Sequence, residues 1–250
     1  MDVRDSSFPL PGYVICRSST AGLGGRVFEV AREGDGRLFV ARVHRFGDPL
    51  QRARVEHELD SLRESNPSGV GALVSVERVG EDLVVISERV AGLDLVEYSG
   101  AQPLALGEFL SLALQLVEIL ARVHARVPVH GDLRATTIFI NPTTRYVELA
   151  DLGLARVLDP NPTHGDSTHV REVLPYVAPE YVRSGRADSR SDLHALGVVF
   201  YELLTGRRPF VGASASELTH VLLARRPRPP DELRRGLPQR LTAMVMKLLE

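Results

Sequence analysis

Two carboxylates, a run of glycines and one well-placed cation hold most of the chemistry that this chain offers. Asp132 stands in His130-Gly131-Asp132-Leu133, and Asp151 opens Asp151-Leu152-Gly153 nineteen residues further on. Carboxylates accept protons or hold hard divalent cations. Upstream, Thr20-Ala21-Gly22-Leu23-Gly24-Gly25-Arg26-Val27 is a glycine-rich run of the kind whose backbone N–H groups can approach phosphate oxygens. Arg42 follows Val27 by fifteen residues and supplies a positive charge. Phosphoryl transfer is mostly positioning and charge neutralisation, and these are the residue types it uses. Each feature is weak by itself: a His-x-Asp pair arises by chance and usually caps a turn, and a glycine-rich hairpin is common. Their order carries the signal. An absence comes with it, since the sequence contains one lysine, Lys247, far from all of these positions.

The elements that must position these groups are legible from periodicity. Tyr13–Ser19, Arg26–Arg32 and 37–44 carry β-branched and aromatic residues between glycine turns, and read as strands. A helix is expected over 49–64, with Val55, Leu59 and Leu62 at helical spacing. Two more strands follow at Leu73–Val79 and 83–87. After Gly92 the period becomes helical, most clearly over 109–124, where Leu112, Leu116, Ile119, Leu120 and Val123 form one apolar face. A loop with short strands fills 129–151, a long polar segment runs to Glu180, and helices return at 191–205 and 237–249. The plan is a small β-rich lobe over 1–91, a hinge at 88–92, and a larger helical lobe over 92–250. Strand alternation puts Val40 and Arg42 on one face.

Composition narrows the class. The 250 residues suffice for a core, and 44% hydrophobic with 25% charged content is that of a globular protein. A formal charge of −2 gives no electrostatic reason to expect nucleic acid as a partner. Cys16 is the single cysteine, so no internal disulfide forms and a reducing, cytoplasmic setting fits. No apolar run follows the polar first residues, and none reaches the ~18 residues that a membrane-spanning helix needs.

Four motifs in order carry a family resemblance. His130 to Ile140, HGDLRATTIFI, resembles the catalytic loop H-R-D-L-K-P-x-N-I of protein kinases; Asp151-Leu152-Gly153 resembles D-F-G; Ala178-Pro179-Glu180 matches the end of the activation segment; and Ser191 to Phe210, SDLHALGVVFYELLTGRRPF, resembles the buried helix that follows. The chain is identified as similar to bacterial-type serine/threonine protein kinases over nearly its whole length. The resemblance implies an α+β fold of two lobes, an antiparallel sheet in the first and helices in the second. It casts Asp132 as the catalytic base, Arg134 at the lysine that touches the transferred phosphate, and Asp151 and Thr137 at the metal positions. Gly22, Gly25 and Val27 fall in the loop over the phosphates, and Arg42 at the lysine that pairs with Glu58 (Glu56 in reserve). Val40, Glu88, Val90 and Phe139 line the adenine pocket, Ser87 is the gatekeeper, and Asp192 braces the catalytic loop. The family continues for a further helix, so more chain is expected after Glu250.

The departures are as informative as the matches. Arg42 and Arg134 replace lysines, and a planar guanidinium is not equivalent to a compact ammonium. Thr137 replaces the metal-binding asparagine and is too short to present an amide oxygen. Val173 replaces a substrate-linking threonine, Thr20 the first loop glycine, and Gly131 the arginine that senses activation-loop phosphorylation. Val40 and Phe139 add volume to the adenine pocket, while Ser87 leaves space behind it. The expectation is a pseudokinase that serves as a signalling or scaffold module, with ATP and Mg2+ held weakly or not at all and a protein as partner. The alternative is an active serine/threonine kinase with a protein substrate. His164, Asp166 and His169 read as a polar loop, and Thr163, Ser167 and Thr168 as modifiable residues without a sensor. Arg225, Arg226, Arg228, Arg234 and Arg235 read as a solvated face.

Overall fold

A computed structural model of the chain describes residues 10–19, 25–154 and 168–250, apart from the side chains of Ser19, Thr168 and His169. Of the expected features, Thr20, Gly22, Gly24, Thr163, His164, Asp166 and Ser167 lie outside the described residues, as do the side chains of Thr168 and His169.

Among the described residues five strands form the first lobe: β1 (Tyr13–Ser19), β2 (Arg26–Arg32), β3 (Leu38–Arg45), β4 (Leu73–Val79) and β5 (Asp82–Glu88). They lie in the order β1-β2-β3-β5-β4, and every neighbouring pair is antiparallel. Alternation divides the sheet. Phe39, Ala41 and Val43 join Phe28, Val30, Val84 and Ile86 in one apolar cluster, whereas Arg42 is in register with Val27 on one side and Val85 on the other. Helix α1 (Pro49–Ser65) starts where Asp48 accepts the Leu50 N–H at 2.9 Å and Pro49 fills the first turn. Its Val55, Leu59 and Leu62 are buried, on the face that periodicity assigns to the core.

The hinge is a backbone constraint. Gly92 has φ of +126°, and a Cβ there would lie 2.4 Å from the Ile140 carbonyl oxygen, so no other residue fits. Beyond it come β6 (Leu93–Asp94), α2 (Leu95–Ser99) and α3 (Leu106–His124), then β7 (Ile138–Ile140) and β8 (Val147–Leu149), which join β6 in a three-stranded sheet. α4 (Thr168–Val173), a 3-10 turn (Leu174–Tyr176), α5 (Pro179–Ser184), α6 (Ser189–Thr205), α7 (Ala215–Ala224), α8 (Pro230–Leu233) and α9 (Gln239–Leu248) complete the lobe. α6 is buried on nearly every side and meets α3 through an edge-to-face contact of Phe200 with Phe109, 5.3 Å between centroids. This is the expected two-lobed α+β architecture.

Two readings of the second lobe are corrected. The described part of the segment expected as a polar run to Glu180 carries α4, because Val170, Val173 and Leu174 supply a short apolar face that is buried, and α5 begins at its end. α7 was not anticipated, although Leu218, Val221 and Leu222 are its buried stripe and Ser214 caps it by accepting the Glu217 N–H. Among the described residues no helix is long and apolar enough to cross a membrane.

Candidate functional site

The loop around Asp132 is held from below by α6. Asp188 caps that helix, accepting the Arg190 N–H at 2.7 Å, and Ser191 returns a bond to the Asp188 N–H in a capping box. Asp192 therefore sits in the first turn with its carboxylate buried. Its Oδ2 accepts the His130 N–H at 2.6 Å and lies 2.7 Å from His124 Nε2, while Oδ1 accepts the Gly131 N–H at 2.9 Å. This is the brace expected from sequence, with His124 as an added partner. Gly131 has φ of +80°, which glycine adopts without strain and an L side chain resists. His130 is wholly buried, and burial pushes its imidazole below the usual histidine range.

Asp132 is 4% exposed. Burial pushes its carboxyl up from the ordinary value, against the pull of Arg134. The Arg134 guanidinium lies across it, Nε donating to Oδ1 at 2.8 Å and Nη2 reaching Oδ2 at 3.5 Å, with Nη1 on Thr136 Oγ1 at 2.6 Å. Thr137 is 1% exposed, and its hydroxyl donates to the Asp132 carbonyl at 2.6 Å while accepting the Arg134 N–H at 3.1 Å. That hydroxyl closes the loop on itself.

Across the cleft, Arg42 reaches down from β3. Its Nη2 donates to Asp151 Oδ1 at 2.5 Å and its Nη1 to Ser87 Oγ at 3.2 Å. Both ion-pair partners are largely withdrawn from water, at 8% and 13% side-chain exposure. Asp151 has φ of +64°, an uncommon conformation for a residue with a side chain. The same turn is tied to the Asp132 loop, since the Gly153 N–H donates to the His130 carbonyl at 2.7 Å. It is also close under α1, for a Cβ at Gly153 would lie 2.8 Å from Leu62 Cδ1. Glu58 and Glu56 are both half-buried on α1.

The residues assigned to the adenine pocket surround the hinge. Val27 on β2, Val40 on β3 and Phe139 on β7 are half-buried; Val90 is buried. Glu88 is half-buried, its carboxylate 3.0 Å from Arg37 and its N–H donating to the Ala72 carbonyl. Gly25 lies where a Cβ would come within 2.6 Å of the Val43 carbonyl, so the strand entry needs glycine. Behind Ser87 a cavity opens among Leu62, Leu73, Asp151, Leu152 and Leu154, in the direction that the small gatekeeper suggests. A second cavity adjoins Asp132 and Arg134, lined by Val173, Tyr176, Ala178 and Tyr181. At its floor the buried Tyr176 hydroxyl donates to Glu202 at 2.6 Å, and the Ser191 hydroxyl donates to Glu180 at 2.8 Å.

The structure thus brings Asp132, Arg134, Thr137 and Asp151 to one cleft with Arg42. Sequence reasoning missed two of its contacts: Arg42 on Asp151 with Ser87, and Arg134 across Asp132. The available signal was that both arginines stand where a shorter cation is usual.

Comparison with known proteins agrees with this geometry. The protein kinase domain family matches residues 18–249. Serine/threonine-protein kinase Pkn1 of Myxococcus xanthus is 35% identical over 173 residues, which is 66% of this chain and 24% of that protein. PrkC, a serine/threonine-protein kinase of Bacillus subtilis, is 32% identical over 182 residues, 70% of this chain and 27% of its own length. PknB of Mycobacterium leprae, with the same description, is 29% identical over 168 residues, 66% and 26% respectively. The matched segment therefore spans about a quarter of each of these relatives.

Proposed function

The chain belongs to the protein kinase family and is similar to its bacterial serine/threonine members; from that premise we propose that it is a pseudokinase domain, a protein-binding signalling or scaffold module with impaired phosphoryl transfer and at most weak ATP binding. Protein kinases use ATP and Mg2+ to phosphorylate protein hydroxyl groups. The observation that carries the proposal is that each carboxylate needed for this is held by an arginine of the same cleft: Asp132 by Arg134, Asp151 by Arg42. A general base contributes about 10²–10⁴ in rate, and with both oxygens engaged by Arg134 this one must give up a contact to take a substrate proton. Val40 and Phe139 add bulk where adenine would lie, and close-packed sites absorb extra methyl groups poorly. In this reading Gly25, Val27, Glu88 and Val90 keep the outline of a nucleotide site, Glu58 supports α1, and the domain acts through its surfaces on a protein partner.

The second reading, an active serine/threonine kinase, is favoured by one observation, the intact bracing of the catalytic loop by Asp192. Purified domain is melted with ATP, with and without Mg2+, and assayed for labelled-phosphate transfer with Asp132→Asn as the control. The proposal expects transfer no greater than that of the control and a midpoint shift near zero at millimolar ATP. Transfer that Asp132→Asn abolishes would establish the second reading in its place.

A further inference from the structure

Asp151 already has a counter-ion. Its Oδ1 faces Arg42 Nη2 at 2.5 Å, and the guanidinium is anchored from its other end by Ser87 Oγ at 3.2 Å. A guanidinium is a rigid fork of five donors, so fixing two of its nitrogens fixes the charge in place, whereas an ammonium pivots on its stem. Arg42 is 7% exposed, and swinging it away from Asp151 would strand a buried charge.

Magnesium asks for near-octahedral oxygen ligands at about 2.0–2.1 Å. Oδ1 of Asp151 carries a cation, and a divalent ion beside it would meet like charge in a poorly solvated place. The other assigned position, Thr137, has its hydroxyl turned onto the Asp132 carbonyl and is 1% exposed. With one assigned donor paired to a cation and the other turned away, these two positions as they stand do not fit magnesium.

We infer that Arg42 takes the place of the divalent cation, acting as the resident counter-ion of Asp151 and excluding metal from the cleft. The inference deepens the pseudokinase reading and rests on it in taking this cleft as the former nucleotide site. Exclusion comes from one side chain, so its removal should return a metal-binding carboxylate. Ser87 is then a positioning residue, fixing where the Arg42 charge lies.

The test uses Mn2+ alone, titrated into the intact 250-residue chain without nucleotide and followed by water-proton relaxation. Wild type is expected to show no Mn2+ site, Arg42→Gln to gain one, and Arg42→Gln with Asp151→Asn to lose it again. A wild-type site that Asp151→Asn abolishes overturns the inference; so does a folded Arg42→Gln protein that gains none. Should Arg42→Gln not fold, Arg42→Met replaces it under the same criterion, because methionine keeps an apolar stem and drops the charge. Phosphate transfer measured on the same wild-type preparation keeps the two readings apart: transfer counts against the pseudokinase, whereas a wild-type metal site without transfer counts only against the counter-ion.

Discussion

Asp192, beneath the Asp132 loop, and Asp151, in the cleft above it, are held by different kinds of partner. Asp192 receives two backbone N–H groups and the ring of His124. Asp151 receives the tip of an arginine that reaches it from the opposite lobe. Backbone donors cannot be mutated away and sit at fixed positions once the loop is formed, so Asp192 behaves as part of the scaffold. A guanidinium is one residue's choice. Fold and chemistry are separable here: the brace rests on backbone, whereas Asp132 and Asp151 are each paired with an arginine side chain.

Removing the brace should cost most. Asp192→Ala strands two backbone donors away from water at about 1–3 kcal/mol each, so a loss of about 4 kcal/mol is expected. For a chain of this size that lowers the melting midpoint by roughly 10 °C. A fall of only a degree or two in a thermal melt would show that water replaces the carboxylate and that the two acids do not differ as argued.

The ion pair should behave otherwise. Arg42→Met alone leaves the half-buried Asp151 without its cation, at a cost of at most about 3 kcal/mol. Adding Asp151→Asn removes the stranded charge, and asparagine tolerates the positive φ at that position. The double variant should regain most of the lost stability in denaturant titrations. If it stays as unstable as the single one, the pair is structural in the same sense as the brace.

Acid should weaken the braced region first. His130 and His194 both have imidazoles pushed down by burial, so the folded protein keeps them neutral while the unfolded chain protonates near pH 6.5. Their contribution is therefore complete above that pH and declines as the pH falls through it, by at most about 1.4 kcal/mol per histidine per pH unit. Melts at pH 7.5 and 5.5 should differ by about 2 kcal/mol. His194→Phe, beside the Phe210 ring with which it stacks at 5.9 Å, should remove part of that difference.

The smallest effect is expected in the loop itself. Gly131→Ala forces a Cβ into a left-handed conformation and should cost about 1 kcal/mol, or about 3 °C. No change would mean that the loop relaxes, and that Asp192 holds less tightly than its distances imply.

Much of this is legible in the sequence alone. The strands of the first lobe and helices α1, α3 and α6 follow from period and turn residues, and Asp132, Asp151 and Asp192 from ordered motifs. Alternation also told which face of β3 carries Arg42. It could not tell where the charge at the end of that side chain comes to rest, because a guanidinium several bonds from the backbone can reach Glu58, Ser87 or Asp151. Arg134 was opaque for a related reason: its contact with Asp132, two residues away, exists only in the particular loop that Asp192 and Thr137 close. The α4 helix was hidden because six residues are too few for a period to declare itself.

The two apolar clusters have a consequence for how the molecule comes apart. The larger one ignores the lobes: Leu59 and Leu62 of α1 and Leu83 and Val85 of β5 share it with Leu116, Ile138, Leu149 and Leu204. The smaller belongs to the other face of the sheet and includes Val84 and Ile86, the alternate residues of the same strand. β5 is therefore a seam, stitched into both cooperative units at every second residue. Its amide protons should open only when both units do, and be the last in the sheet to exchange with solvent deuterium.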